Sequence, residues 1–348
     1  MDVVQILNTI RDNASSEYQA RIPEATRTNL EDIRYAMIDD DNIFVANEFT
    51  ATLINKLVKS VVHSKIFNNP LKSLKKGKKP LGDTVEEIYT NFIKGKQYRA
   101  DGTELLTRHL PDVKTVYHRM NYQMKYPITI SRQALSKAFV SEESLEKFIT
   151  NIINSLYNSA ELDEFANIKN IIKSAIEKKA VKFVTVADPT SSEANAKKFI
   201  KDVKTVSGMM QFPSTQWNGY LSAQDTDTNP ITTFTRKDEQ VLILDTETDT
   251  TVSVDVLASI FNMSVAEFND TKKIVIDAFP KATVDGSTYT TRALLIDEAF
   301  IQMYDDLFTV GSFRNDDGLY ESYFLHVWQT QAFSILVNAV GFGTKATA

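Results

Sequence analysis

The chain of 348 residues has no cysteine and only four histidines. The lack of cysteine excludes disulfides, thiolate metal sites, thiol nucleophiles and iron–sulfur clusters together. No two of the histidines stand at the spacing of metal ligands, so each is interpreted as a structural or surface residue: His63, His109, His118 and His326. We therefore expect no metal site and no cofactor.

Long apolar runs are also missing. The longest, such as Ala293 to Ile296, span a few residues, whereas a membrane-spanning helix needs about 20. The N-terminus has no basic region followed by an apolar stretch, so no signal peptide is expected. These absences predict a soluble protein that is made in the cytosol and has no membrane partner.

No motif of nucleotide binding or of nucleophilic catalysis occurs. Gly77-Lys78 resembles part of a phosphate loop, but Lys72 and Lys79 stand where that motif needs glycine and serine or threonine. Two sets of acids could pair for acid–base chemistry, although a solvated loop and a polar helix face explain them with less: Asp245, Glu247, Asp249 and Glu161, Asp163, Glu164. We expect no enzyme and no small-molecule substrate.

What is present is an ordinary globular composition, with 43% hydrophobic and 24% charged residues. At about 150 residues per domain, the length predicts about two domains. The net charge of −6 and the pI near 5.4 argue against a generic coat for nucleic acid.

The stretch from Ile66 to Tyr126 is rich in glycine and proline, which interrupt regular secondary structure. It contains two runs of residues that favour β-strands, Thr84 to Ile93 and Val113 to Tyr122. An amphipathic helix is predicted before it, from Asn42. The stretch predicts a two-stranded β-hairpin that extends from the rest of the fold. An isolated hairpin of this kind is only marginally stable in water. It should therefore lie on another surface, either of the same chain or of a neighbour.

The strongest helical periodicity runs from Ser141 to Lys178. Ser141 is a suitable N-cap, and an apolar stripe predicted to be core includes Leu145, Ile149, Ile152 and Leu156. One unbroken helix would be about 57 Å long. A break near Asp163-Glu164 is the alternative.

A mixed α/β section follows. It includes a predicted helix over Ser192 to Met210, a short buried strand over Val241 to Leu244 and a helix starting near Asp255. Two strand-like arms, Phe300 to Phe313 and Leu319 to Phe333, flank Asp317-Gly318, which is a favourable hairpin turn.

Charge is strongly segregated along the chain. Residues 49–82 hold eight lysines and no acid, whereas residues 218–306 hold 16 acids and 6 bases. We name five of the lysines the lysine cluster and predict that they contact a neighbouring subunit or face DNA: Lys72, Lys75, Lys76, Lys78 and Lys79. Solubility alone is the simpler explanation of this segregation.

Several stretches, taken in order, resemble the major capsid proteins of phi29-like short-tailed phages. They include Asn69-Pro70-Leu71-Lys72, Glu86-Glu87-Ile88-Tyr89-Thr90, Ile153-Asn154-Ser155-Leu156-Tyr157, Val254-Asp255-Val256-Leu257-Ala258 and His326-Val327-Trp328-Gln329-Thr330. The similarity covers most of the chain from about residue 45 to Phe342. No single stretch is diagnostic, but their order and spacing together make it very improbable that the similarity arose by chance.

The resemblance implies an α+β fold of the Hong Kong 97 phage capsid type. Its expected parts are an N-terminal arm at 1–65, an extended β-hairpin loop at 66–126, a peripheral domain at 127–199 and 297–348 with a spine helix at 141–178, and an axial α/β domain at 200–296. Some relatives add an immunoglobulin-like domain, which we expect to be absent because the chain stops at Ala348. No residue marks a covalent crosslink site.

The function implied by the resemblance is structural. Copies of the chain would pack as hexamers and pentamers into an icosahedral or prolate head around double-stranded DNA, which they would contact non-specifically. The family also implies a scaffolding protein and a portal protein as partners, assembly in the host cytoplasm, and a final place in the virion capsid. The alternatives are a nucleic-acid-binding module built on Lys72 to Lys79 and a hydrolase that uses the acids named above.

Overall fold

The computed structural model describes residues 3–38, 45, 48–49, 52, 67–79, 84–98, 107–131, 133–134, 137, 147–148, 151–152, 154–224, 227–252, 273–315, 317–318 and 320–347. The helix starts predicted at Asn42, Ser141 and Asp255 lie outside these residues. The described chain groups into two compact units. The first is Met1–Asn69, Tyr122–Glu164 and Asp305–Gln329, and the second is Pro70–Asn121, Phe165–Tyr304 and Thr330–Ala348.

These units differ in extent from the expected domains. Residues 70–121, expected as a separate loop, group with the second unit, and the predicted spine helix is divided between the units after Glu164. The four-part division stays a prediction from the resemblance.

The first unit begins with three helices, α1 (Val3–Asn13), α2 (Ser16–Arg21) and α3 (Leu30–Ile38). The hydroxyl of Ser15 accepts a hydrogen bond from the Tyr18 amide and so caps α2. Apolar side chains of these helices, including Ile10, Tyr18 and Ile33, are buried in one core. These helices are too short to be stable in isolation, so packing in this core is what stabilises them.

A three-stranded antiparallel sheet supplies the other side of that core. Its order is β3 (Tyr122–Ser131), β10 (Tyr320–Phe333) and β9 (Ile301–Asn315). The predicted hairpin around Asp317-Gly318 is confirmed. The sequence missed β3, which contains Pro127; β3 is an edge strand of the sheet, where a residue without an amide hydrogen is tolerated.

For the long helix, the structure describes helical residues at 147–148 and 151–152, a π turn at Asn154–Asn158 and then α4 (Ser159–Glu177). The helix runs through Asp163 and Glu164 without interruption, so the alternative of a break at that point is wrong. Ile152 and Leu156 are buried, at 2% and 0% exposure, among the core residues of the first unit. Leu145 and Ile149 lie outside the described residues.

The second unit is built on a six-stranded sheet. Its path is β4 (Lys182–Thr185), β11 (Ala339–Thr347), β8 (Ser287–Asp297), β5 (Gln240–Asp245) and β6 (Lys273–Ile276), and β7 (Ala282–Val284) pairs with β8 off this path. The confirmed helix α5 (Glu193–Met209) is capped by Ser192. Two shorter helices are α6 (Tyr220–Ala223) and α7 (Thr246–Thr251).

Both faces of this sheet are covered. Val241 and Ile243 of β5 lie in the core with α4, whereas Leu242 and Leu244 lie in the core with α5. Because side chains alternate between faces and each face has a helix, the whole of β5 is buried. The continuous apolar run that predicted a buried strand is explained by this two-sided cover.

Candidate functional site

The lysine cluster lies on a short segment at the surface of the second unit. Pro70–Leu74 forms a single 3₁₀ turn in which Leu71 and Leu74 are buried in the core. Between and after these two anchors, Lys72, Lys76 and Lys78 are exposed. The apolar anchors therefore fix the backbone and present cationic side chains at the surface.

Lys76 links this segment to β9 and to the loop before it. Its amide donates to the Met303 carbonyl at 2.9 Å and its Nζ donates to the Glu298 carbonyl at 2.8 Å. Gly77 then turns the chain with a φ of +84°, which glycine adopts without strain. These contacts orient the segment, and among the described residues no carboxylate pairs with Lys76.

The predicted β-hairpin consists of β1 (Thr84–Thr90) and β2 (Val113–Arg119). The register pairs Thr84 with Arg119 and Thr90 with Val113. One face turns inward, where Tyr89 and Val116 pack against a small core of the second unit. The other face is exposed and presents apolar side chains, with Ile88 and Tyr117 each 60% exposed.

The inner face is anchored by hydrogen bonds to the loop before β5. The Tyr89 hydroxyl donates to the Thr232 carbonyl. Asn91 donates to the Pro230 carbonyl at 3.0 Å and accepts from the Thr232 amide at 3.2 Å. The hairpin therefore lies on its own chain, which was one of the two surfaces that the sequence left open.

An ion pair strengthens the same attachment. Lys114 Nζ lies 2.6 Å from Asp227 Oδ2 and 3.1 Å from Asp112 Oδ1. The hydrogen bond from Lys114, helped by the Asn229 amide and the Tyr220 hydroxyl, holds the pKa of Asp227 well below its usual range. Burial and the bond to Asp227 raise the pKa of Tyr220 to about 12.

A third anchor involves a buried histidine. His118 Nε2 lies 3.1 Å from Glu87 Oε2 across the hairpin, and the other oxygen of Glu87 accepts from the Ser334 hydroxyl. Since His118 is 6% exposed and touches a carboxylate rather than a metal-ligand set, it is a structural residue. Groups of three or more residues able to hold a metal ion are absent from the described part of the chain.

The acids that suggested a paired carboxylate site surround an arginine. Arg292 Nη1 donates to Asp245 at 3.0 Å and to Glu247 at 2.6 Å, and Nη2 donates to Asp188 at 2.8 Å. Asp245 also caps α7 by accepting from the Thr248 amide at 2.8 Å. We name Arg292 with its three carboxylates the arginine hub.

Three of the remaining acids are also used structurally. Asp249 pairs with Lys273 at 2.6 Å. On the long helix, Asp163 accepts from the Tyr126 hydroxyl at 2.7 Å and Glu164 accepts from Gln329 Nε2 at 2.9 Å. These carboxylates therefore neutralise cations or satisfy donors, and none stands beside a nucleophile in the described residues.

Sequence reasoning did not find the arginine hub or the Lys114–Asp227 pair. The partners of Arg292 lie between 45 and 104 residues away in sequence, and Asp227 lies 113 residues from Lys114. No local pattern encodes such pairings. Within the described residues, no helix combines the length and the apolarity that crossing a membrane requires.

Comparisons with known proteins identify the family to which the chain is similar. The family model of the Phi29-like phage major capsid protein matches residues 7–343. The major capsid protein of Bacillus phage PZA is 34% identical over 341 residues, which cover 97% of this chain and 72% of that protein. The major capsid protein of Bacillus phage GA-1 is 35% identical over 303 residues, which cover 86% of this chain and 61% of that protein.

The fold has a solved counterpart. A chain of the capsid structure of Staphylococcus phage Andhra superposes with a TM-score of 0.64 at 14% identity, covering 81% of this chain and 85% of that one. This likeness confirms the α+β fold of the Hong Kong 97 type. With a family model that matches nearly the whole chain, and a relative 34% identical over 97% of it, the chain belongs to the Phi29-like phage major capsid proteins.

Proposed function

We propose that many copies of this chain associate into hexamers and pentamers and form the head shell around the double-stranded DNA of a tailed phage. Family membership is the observation that carries this proposal. The hairpin supports it, because one face is anchored to the chain's own second unit while the other presents exposed Ile88 and Tyr117. Solvent-facing apolar side chains of this kind are typical of surfaces that meet another molecule.

The proposal includes a scaffolding protein, a portal protein, assembly in the host cytoplasm and a final place in the virion. Electron microscopy of the chain expressed with its phage's scaffolding protein tests it directly. Regular closed shells are expected. A single small species under all conditions would contradict the proposal.

The tip of the hairpin is proposed to join neighbouring subunits. Deleting Lys94 to Leu110 leaves the anchors at Tyr89, Asn91 and Lys114 in place. We therefore expect a folded subunit, checked by circular dichroism, that forms no shells in electron micrographs. Normal shells from this variant would remove the tip from the subunit contact.

The lysine cluster is proposed to meet carboxylates of a neighbouring subunit. Exposed ion pairs contribute only about 0–1 kcal/mol each, but a shell repeats each contact in every copy. Several acids of residues 218–306 are already paired within the chain, among them Asp227, Asp245 and Asp249. The partner carboxylates are therefore sought among exposed acids such as Glu298.

The test changes Lys75, Lys76 and Lys78 to Glu and counts empty shells. A matched control changes three lysines that are exposed on α5 to Glu: Lys198, Lys201 and Lys204. Both variants therefore change the net charge equally. The cluster variant should lose empty shells, and high salt should weaken wild-type assembly in the same direction because screening shortens to about 3 Å at 1 M.

Two other outcomes reassign the cluster. Normal empty shells with a defect only on DNA filling would place it against the genome. Equal effects of the two triple variants would leave only its contribution to solubility.

We further propose that the chain has no enzymatic activity. Five of the six acids that could form paired sites are taken up by the arginine hub, by Lys273 and by the Tyr126 and Gln329 donors. Hydrolysis by purified shells that disappears with Glu247→Gln would contradict this.

A further inference from the structure

The second unit presents a basic helix face to which the proposed function assigns no role. One side of α5 is buried against the six-stranded sheet, where Phe199 and Val203 share a core with Leu242 and Leu244. The opposite side is exposed and carries four lysines: Lys197, Lys198, Lys201 and Lys204. We name these four residues the α5 lysine face.

The four lysines project from a single side of the helix. At about 100° per residue they span an arc of about 120°, and at about 1.5 Å per residue the first and the last lie about 10 Å apart along the axis. The other exposed residues between Glu193 and Thr205 are these two end residues and Ala194. The first exposed large apolar side chain of α5 is Met209, near its C-terminal end. The face is therefore cationic and has no apolar anchor over this length.

The acids of the helix balance little of this charge. Glu193 pairs with Lys197 at 2.6 Å, one turn away. Asp202, the other acid of α5, is half-buried. All residues of α5 are described, and within the helix neither acid pairs with any of the other three lysines. The exposed side of α5 thus carries four lysines against one glutamate, a net charge of +3.

The spacing of the lysines works against the stability of the helix. Lys201 lies three or four residues from each of the other three, so their side chains are neighbours on the helix surface. Like charges at these spacings destabilise a helix. A surface that serves solubility alone intersperses charges of both signs, and this chain has more acids than bases. The arrangement therefore indicates a polyanionic partner.

The composition of the face favours a nucleic acid over an acidic protein. Protein interfaces are depleted in lysine and depend on aromatic and other apolar anchors, which this face lacks. A phosphate backbone needs only cations for binding that is independent of sequence. Each strand of duplex DNA carries one phosphate per about 3.4 Å of helix axis, so the ~10 Å length of the face matches about three phosphates.

We propose that the α5 lysine face binds the phosphate backbone of double-stranded DNA without regard to sequence. This rests on the proposed function, because a head that encloses a genome is what brings DNA to the subunit. The binding itself requires no shell, so it is measured on the unassembled chain. Empty shells contain no DNA, so the α5 lysines remain a suitable control in the empty-shell assay.

The assay is fluorescence anisotropy of a dye-labelled DNA duplex of random sequence, titrated with the full-length unassembled protein. Binding should be saturable and should weaken as salt is added. With three to four phosphate contacts, the logarithm of the binding constant should fall with the logarithm of salt concentration at a slope of about −2.7 to −3.6. The affinity should then fall roughly 40- to 150-fold between about 50 and 200 mM salt.

Two variants that remove equal charge separate this face from the rest of the molecule. Changing Lys198, Lys201 and Lys204 to Gln should weaken binding at least about tenfold at low salt and reduce the salt slope by about 0.9 for each lysine. The matched control makes the same change at three residues of the lysine cluster and should bind as wild type does: Lys75, Lys76 and Lys78.

A third variant keeps the charge of the face. Lys198→Arg, Lys201→Arg and Lys204→Arg together should retain the affinity and the salt slope of wild type, because arginine also contacts phosphate. Circular dichroism and urea unfolding establish that all three variants are folded.

Several results would overturn the proposal. They are an absence of saturable binding, equal losses in the two Gln variants, or a loss in the lysine-cluster variant alone, which would assign the DNA to that cluster. Hexaglutamate that competes as well as DNA at equal charge would assign the α5 lysine face to an acidic protein segment. Normal shells from a chain that binds no DNA would contradict this inference alone, whereas DNA binding by a chain that forms no shells would contradict the proposed function alone.

Discussion

The arginine hub and the lysine cluster are both cationic and both belong to the second unit, yet they use charge in opposite ways. Arg292 is 16% exposed and is surrounded by three carboxylates, so its hydrogen bonds close within the chain. Lys72, Lys76 and Lys78 are exposed on a segment that two buried leucines hold in place. The enclosed charge stabilises the subunit, whereas the exposed lysines face solvent.

The largest effect should come from a buried charge that has no partner at all. Leu156→Asp places a carboxylate in the first unit's core, where Leu156 is fully buried. Its cost should be several kcal/mol, about half or more of a typical domain stability of ~5–15 kcal/mol. We expect insoluble or unfolded protein, with Leu156→Met as the folded control. Soluble Leu156→Asp that still assembles would show that this stripe is not core.

Removing the centre of the hub should come next. Arg292→Met leaves Asp188, Asp245 and Glu247 facing one another without a cation, and breaking a buried pair typically costs about 3–5 kcal/mol. Because Glu247 is 71% exposed, we expect the lower end, ~3 kcal/mol, in urea unfolding. Arg236→Met, at an exposed pair, should leave the midpoint unchanged. Equal losses of unfolding stability in Arg292→Met and Arg236→Met would contradict the view that the enclosed arginine stabilises the subunit.

Acid should weaken the enclosed ion pairs, because it protonates their carboxylates. The bond from Lys114 lowers the pKa of Asp227. Burial alone raises the pKa of Asp188, but its bonds from Arg292 and Thr190 lower it overall. A carboxyl whose folded pKa is depressed stabilises the protein above its unfolded pKa of about 3.9, and this is lost as pH falls through the folded value. Urea midpoints should therefore fall steadily below about pH 4.

Asp227→Asn sharpens this test. The variant should be less stable than wild type at neutral pH, and its midpoint should depend less on pH below about 4. Asp297, whose pKa is raised chiefly by burial, contributes in the opposite direction, so Asp297→Asn should make the loss of stability in acid steeper. An unchanged slope in Asp227→Asn would separate the ion pair from acid stability.

The smallest effect on stability should come from the displayed charge. Changing Lys75, Lys76 and Lys78 to Glu should change the unfolding free energy by no more than about 1.5 kcal/mol, at about 0.5 kcal/mol for each surface substitution. Assembly, by contrast, should be lost. A large fall in subunit stability would show that these lysines stabilise the subunit, as the enclosed charges do.

Much of the secondary structure could be read from the sequence. Ser192 marks the start of α5, Asp317-Gly318 marks the turn between β9 and β10, and the apolar run of β5 marks a strand covered on both sides. Each of these signals is local, because a cap, a turn or a run is complete within a few residues.

Other elements left no such signal. Glycines obscure β11, yet Gly343 is required there, since a Cβ at that position would collide with the Thr290 carbonyl. The arginine hub and the Lys114–Asp227 anchor join residues far apart in sequence, so tertiary structure alone reveals them. The lysine cluster was visible as composition, but the buried leucines that orient it were not.

The place of β11 in the sheet also constrains when the second unit can form. This strand lies between β4, to which it runs parallel, and β8, to which it runs antiparallel. Until residues 339–347 leave the ribosome, at about 5–20 residues per second, β4 and β8 each have an unpaired edge. A chain interrupted before this point lacks the strand that joins β4 to the sheet. The sheet of the second unit therefore cannot be completed before residues 339–347 have been synthesised.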